Sequence, residues 1–189
     1  MDTSDENLDI PYAAAASVSE VEYLLSQFWA FRRIFGQARQ QQLAFHVEDK
    51  LLTACVLEAL QRDIIMGLCR LEDKNSKEGL RGCKDAVRKA HGQTRTNDFM
   101  KSISRLKDEL KALDLKQSHR NRYISHLNLP FDEQPKSGSL EIEIESLINL
   151  VIEILESVGC TPNSSYQCEG VTIEMGVTAN ALIPTKPKL

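Results

Sequence analysis

The stretch Leu140-Glu141-Ile142-Glu143-Ile144-Glu145 decides the fold class, because it fits two patterns at once. Strict alternation of apolar and acidic residues is the pattern of a half-buried strand. Continued downstream, the apolar residues Leu140, Ile144, Leu147, Ile148, Val151, Leu155 and Val158 keep steps of three and four, the period of a helix. The longer pattern outweighs the shorter one. The segment is predicted helical, closed by Gly159 and Pro162.

With that choice made, the chain upstream reads as helices throughout. Ser17 or Ser19 is the expected N-cap of a first helix, with Glu20 and Glu22 in its first turn. This helix is expected to run toward Leu43 on a stripe of Val21, Leu24, Leu25, Phe28, Phe31, Ile34 and Phe35, with Gly36 as a weak or bent point. A second helix starts near His46 to Asp49 and ends near Leu71, carried by Leu51, Cys55, Leu57, Leu60, Ile64, Ile65 and Leu68. Lys74 to Gly79 is a polar turn. A shorter helix from Leu80 to Ala90 is stopped by His91-Gly92, and another, capped by Thr96 or Asn97, covers Phe99 to Leu115. Ser118 is a candidate N-cap for a short helix ended by Asn128 and Pro130, followed by a loop to Ser139.

The tail from Thr161 to Leu189 changes character. It is rich in Thr, Val and Ile, with Gly170, Gly176, Pro184 and Pro187, and reads as either a small β-hairpin or a partly disordered extension. The expected architecture is an all-α bundle of four to five helices. A flexible N-terminus covers 1–16, the helical domain 17–159 and the C-terminal extension 160–189.

Composition narrows the function classes. The 189 residues, 42% of them apolar, suffice for one domain with a sizeable core. No apolar run approaches the roughly 20 residues that cross a bilayer, and the acidic start lacks the basic region of a secretory signal. The expected setting is cytoplasmic, with no membrane partner. Five cysteines, an odd count without a CxxC pair, read as reduced thiols packed as small hydrophobes, although Cys160 and Cys168 could pair. Without CxxC, HxxxH or HExxH spacing no metal cage is expected, and no cofactor.

Charge is unevenly placed. The net charge is −4, yet Arg70 to Arg122 holds 15 Lys and Arg against 8 Asp and Glu, a local +7. The remainder holds 8 against 19, or −11. Such a division is expected where one region faces a polyanion, and equally where amphipathic helices merely solvate their outer faces. Lys84, Arg88 and Lys89 are candidates for guiding such a polyanion by charge.

At the end of the basic region stands His119-Arg120-Asn121-Arg122-Tyr123-Ile124-Ser125-His126-Leu127-Asn128. An Arg fork fits phosphate oxygens, and a His can move a proton near neutral pH. On a helix His119, Arg122, Tyr123 and His126 share a face, and Arg120 reaches the same site if it stands at the helix start. Free N–H groups there also attract phosphate, and Asn121 adds an amide. The competing reading is a basic helix end whose arginines pair with carboxylates. His46 and His91 read as a helix-start and a turn residue. Trp29, Phe28 and Phe31 read as core, and Glu58 and Asp63 as solvated positions that could also orient Arg120 or Arg122.

Arg120-Asn121-Arg122-Tyr123-Ile124-Ser125-His126 resembles the signature of the HEPN superfamily, an Arg, an adjacent polar residue and a His a few positions on. It is most similar to the abortive-infection branch, whose motif takes the form Arg-Asn-Lys-x-Ile-Ala-His-Leu-Asp. Upstream, Ile65-Met66-Gly67-Leu68-Cys69-Arg70-Leu71-Glu72-Asp73 resembles that branch's helix ending in an Arg-Leu-x-Asp turn. Together the similarity spans roughly Ser17 to Val158.

The resemblance implies a helical bundle that dimerises through its motif-bearing face. It also implies a metal-independent endoribonuclease of toxin or phage-defence type. Arg120 and His126 would be the catalytic pair, with Asn121 as polar helper. Lys116, His119, Arg122 and Tyr123 would contact RNA. Partners of this type are RNA, a second copy, and a cognate antitoxin or nucleotidyltransferase. Two positions depart from the pattern, Ser125 for Ala and Asn128 for the acidic residue. Position 128 also lacks the Tyr that some relatives present for nucleotidylation. Many members of the superfamily serve as non-catalytic RNA- or protein-binding modules, and that is the alternative.

Overall fold

A computed structural model describes residues 9–40, 47–113, 140–168 and 171–175. Its elements in chain order are α1 (Ile10–Gln40), α2 (Val47–Glu72), a 3-10 turn (Leu80–Cys83), α3 (Lys84–Ala112), α4 (Leu140–Glu156), β1 (Ser165–Cys168) and β2 (Val171–Glu174). The stretch from Leu140 is helical, so the period of three and four prevails over the alternation. The described residues form an all-α bundle with one hairpin at its C-terminal end.

Helix α1 lies at the centre. It runs against α2 along its length and also meets α3 and α4. Its stripe of Val21, Leu24, Leu25, Phe28 and Phe31 is buried, with Ile34 and Phe35 packed on the edge of the core. Ile64, Ile65, Leu68 and Leu71 of α2, Phe99, Ile103, Leu106 and Leu110 of α3, and Ile144, Leu147, Ile148, Val151 and Leu155 of α4 complete one cluster. Fully burying a side chain of this size contributes about 1.5–3 kcal/mol, so this single core carries the fold.

The first helix begins earlier than expected. It starts at Ile10, not at Ser17 or Ser19, and runs into the stretch assigned to the N-terminus. Pro11 suits a first turn and the Ala13 to Ala16 run has the highest helix propensity. Ser17 is buried, and its hydroxyl donates to the Glu78 carbonyl at 2.8 Å, so it ties α1 to the turn after α2 instead of capping. The helix passes through Gly36 without ending.

The α2–α3 turn is built as expected. The Asn75 N–H donates to Asp73 Oδ1 at 3.0 Å, and the Gly79 N–H to the Ser76 carbonyl at 3.1 Å. A break does occur at Gly92, whose φ of 79° and ψ of 179° belong to glycine alone. The helix resumes at once, however, and Thr96 is no cap. It is buried mid-helix, its hydroxyl donating to the Gly92 carbonyl at 2.9 Å.

Helix α4 ends in a Schellman turn. The Cys160 N–H donates to the Leu155 carbonyl, the Gly159 N–H to the Glu156 carbonyl, and Gly159 takes φ 84°. Of the two readings of the tail, the described part is the hairpin, antiparallel with Ser165 opposite Glu174 and Cys168 opposite Val171. The Asn163 N–H donates to Glu22 Oε1 of α1 at 2.8 Å, and buried Met175 anchors the far end.

The thiols divide. Cys69, Cys83 and Cys160 are buried, whereas Cys55 is exposed and does not pack as a small hydrophobe. Its helical turn lies on the outer side of α2, beside exposed Leu52 and Val56. For the expected Cys160–Cys168 pairing, Cys160 is a free thiol, and the Cys168 side chain lies outside the described ones.

Candidate functional site

Lys116, His119, Arg120, Asn121, Arg122, Tyr123 and His126 all lie between residues 114 and 139, outside the described residues. What the structure describes is the frame that delivers this segment. The chain leaves at the end of α3, where the Leu113 N–H donates to the Glu109 carbonyl, and returns at the start of α4.

The returning end is held by a cation. Arg32 of α1 places Nε 2.9 Å from Glu141 Oε1 and Nη1 3.5 Å from Glu145 Oε2. Its guanidinium lies 5.5 Å from the centroid of the Phe28 ring. The side chain is only 10% exposed, so the pairs are poorly screened and fix the first turns of α4 to α1.

The upstream motif Arg70-Leu71-Glu72-Asp73 is accounted for residue by residue. Arg70 reaches back to α1, with Nη2 and Nε at 2.6 and 3.2 Å from Glu20 Oε1. Leu71 is core. Glu72, nearly buried, faces Arg81 at 4.0 Å. Asp73 closes the turn with Asn75. Close approach makes this corner work: a Cβ at Gly67 would stand 2.5 Å from Glu20 Oε1 and Leu24 Cδ2. Glu78 in the same turn has its carboxyl held below the usual range, chiefly by the Ser76 hydroxyl, then by its own backbone N–H and more weakly by Arg70.

Cys83 is the most perturbed thiol described, pushed up from 9.0 to about 11 by burial and by the neighbouring Cys160 thiol, with the Ser17 hydroxyl opposing. It stays protonated at neutral pH and donates to the Ala13 carbonyl at 3.5 Å, a packing role and not a nucleophilic one.

The remaining candidates are dispersed. Glu58 and Asp63 are exposed, and Asp63 accepts from Gln27 Nε2 at 3.4 Å. His91 is exposed beside the break in α3, and His46 lies outside the described residues. Phe28 and Phe31 are core, and Trp29 packs against it. Lys84, Arg88 and Lys89 are exposed at the start of α3. A charge window narrower than Arg70 to Arg122 would also have picked out Lys74, Lys77 and Arg95, exposed on the same part of the chain.

Among the described residues no helix is long and apolar enough to cross a membrane. No curated protein and no solved structure matches the chain. A family model does match, that of the HEPN-type AbiU2 proteins, over residues 15–160. That span runs from the first turns of α1 through the Schellman turn after α4 and leaves out only the N-terminal residues and the hairpin tail. With most of the chain inside the match, and with a helical bundle as its fold, this protein belongs to the AbiU2 family of HEPN-type abortive-infection proteins.

Proposed function

We propose that the protein is a metal-independent endoribonuclease of toxin or phage-defence type, acting in the cytoplasm as a homodimer. The observation that carries this reading is the intact pair of Arg120 and His126, spaced as in the HEPN signature, within a chain that matches an abortive-infection family.

RNA brings its own nucleophile, the 2′-OH. His126, neutral, takes the 2′-OH proton as the oxygen attacks the adjacent phosphorus. Arg120 stabilises the charge growing on the non-bridging oxygens, and Asn121 orients the phosphate. The 5′-oxygen leaves with a proton, giving a 2′,3′-cyclic phosphate and a 5′-OH end. A twofold dimer supplies the acid for that step, because it brings a second copy of His126 to the same contact. Arg122, His119, Lys116 and Tyr123 hold the strand. DNA, without the 2′-OH, is spared.

Asn128, standing where the pattern has an acidic residue, favours the second reading, a non-catalytic module that binds RNA or a protein. One experiment separates the two: incubation of a mixed-sequence RNA with EDTA, comparing wild type with Arg120→Ala and His126→Ala. The expected result is cyclic-phosphate ends from wild type and none from either variant. A folded, dimeric wild type that leaves the RNA intact overturns catalysis in favour of the binding module.

A further inference from the structure

The corner between α2 and α3 carries more charge than the fold uses, since among the described residues only Arg81, facing Glu72, and Arg95, donating to the Ser157 carbonyl at 3.0 Å, reach other parts of the bundle. Residues 74–95 hold seven Lys and Arg against two Asp and Glu, in a chain of net charge −4. Lys74, Lys77, Lys84, Arg88, Lys89 and Arg95 are all exposed. Among the described residues Lys74, Lys77, Lys84 and Lys89 form no ion pair. The two acids do little to neutralise the patch. Glu78, kept ionised chiefly by the Ser76 hydroxyl, offsets only one of the seven cations. Asp85 meets Arg88 at 3.0 Å in an exposed pair, 80% and 56% open, of the kind worth little in water. A phosphate can take the place of that carboxylate.

Lys84, Arg88 and His91, four and three residues apart, are all exposed on the first turns of α3. Helix α4, which packs against α3, carries five Glu and no Lys or Arg, so the two helices differ in the sign of their net charge. The patch has no Trp, Tyr or Phe on which a base could stack. Its larger apolar residues, Leu80, Cys83 and Val87, are buried, and exposed Ala90 is too small to insert into a lipid surface.

We infer that this corner, residues 74–95, is a docking surface for the sugar-phosphate backbone of RNA. The inference rests on the reading that the protein acts on RNA, but the surface is separate in the chain from the residues proposed to cut it. Mobile lysines without bases to read give binding that is indifferent to sequence and steep in salt.

The test uses the full-length protein and a fluorescein-labelled 20-nucleotide 2′-O-methyl RNA, which lacks the nucleophile and survives whatever the protein does to RNA. Anisotropy titrations across a salt series compare wild type with two triple variants, Lys84→Gln/Arg88→Gln/Lys89→Gln and Lys101→Gln/Lys107→Gln/Lys111→Gln, each checked for folding by circular dichroism. For the first triple the expected result is an affinity loss of about tenfold or more at low salt. The slope of log K against log salt should fall by about 2, three contacts at roughly 0.7 each. The second triple removes the same charge elsewhere on α3 and should stay within about twofold of wild type. Equal losses from both triples, an unchanged affinity in the first, or a wild type that does not bind overturn the docking surface. Cleavage of unmodified RNA is followed in parallel. Cleavage without dependence on the corner sinks this inference alone, and salt-sensitive binding at the corner without cleavage sinks the catalytic reading alone.

Discussion

Arg70 meets Glu20 at 2.6 Å and Arg105 meets Glu109 at 2.8 Å, so by distance the two pairs are equals. Their surroundings are not alike. The first joins α2 to α1, with the Glu20 side chain 11% exposed and Gly67 packed against it. The second lies within one turn of α3, with Arg105 65% exposed. The difference extends to the regions around them. The α1–α2 seam uses Arg70 and Glu20 to hold two helices at close range, whereas α3 turns one narrow stripe to the core and leaves most of its charges in water. Charge in the seam is structure. Charge on α3 is available for a partner.

The largest test of this contrast is Phe28→Ala. Phe28 is buried in the α1 stripe and lies beneath the Arg32 guanidinium, which in turn holds Glu141 and Glu145 of α4. Truncation leaves a cavity and loosens that clamp, so urea denaturation should show a loss of about 3–5 kcal/mol. A loss below about 1 kcal/mol would mean that the bundle is not organised around α1.

A smaller effect is expected at the break in α3. A Cβ at Gly92 would meet nothing within 4 Å, so space is no obstacle. The obstacle is conformational, because φ 79° with ψ 179° is a region closed to other residues. Gly92→Ala should therefore cost about 1–3 kcal/mol, through strain alone. A gain in stability would show that the two halves of α3 can straighten into one helix, and that the direction of its first turns is not fixed by the fold.

The positions where sequence reading failed share a physical cause. Helix α4 was legible because its apolar period outlasted the strand-like alternation of Leu140 to Glu145. The core stripes were legible for the same reason. The start of α1 was not, because Ser17 carries the right chemistry for a cap and uses it on the Glu78 carbonyl, far away in sequence. Thr96 misled in the same way, spending its hydroxyl on the Gly92 carbonyl. A cap signal is local, and the hydroxyl that produces it is free to serve tertiary structure. Cys55 misled because an apolar pattern does not say which side of the helix another helix will cover. For the candidate site, sequence supplied the motif of Arg120 and His126 and its spacing, and the structure supplied the meaning of the upstream match. Arg70-Leu71-Glu72-Asp73 holds α1, α2 and the following turn together, which no spacing rule contains.

The finest test returns to the two arginine pairs. Double-mutant cycles with Arg70→Ala and Glu20→Ala, and with Arg105→Ala and Glu109→Ala, measure the coupling within each. For the α3 pair about 0.3–0.5 kcal/mol is expected, fading as salt rises, because the pair is exposed and intrahelical. The seam pair should couple at least twice as strongly and resist salt, since Glu20 is shielded and the contact is made twice, through Nε and Nη2. The single Arg70→Ala should also exceed the single Arg105→Ala, because it leaves a shielded carboxylate without its partner. Equal couplings would remove the distinction, and with it the argument that the cations of α3 are held in reserve while those of the seam are already used.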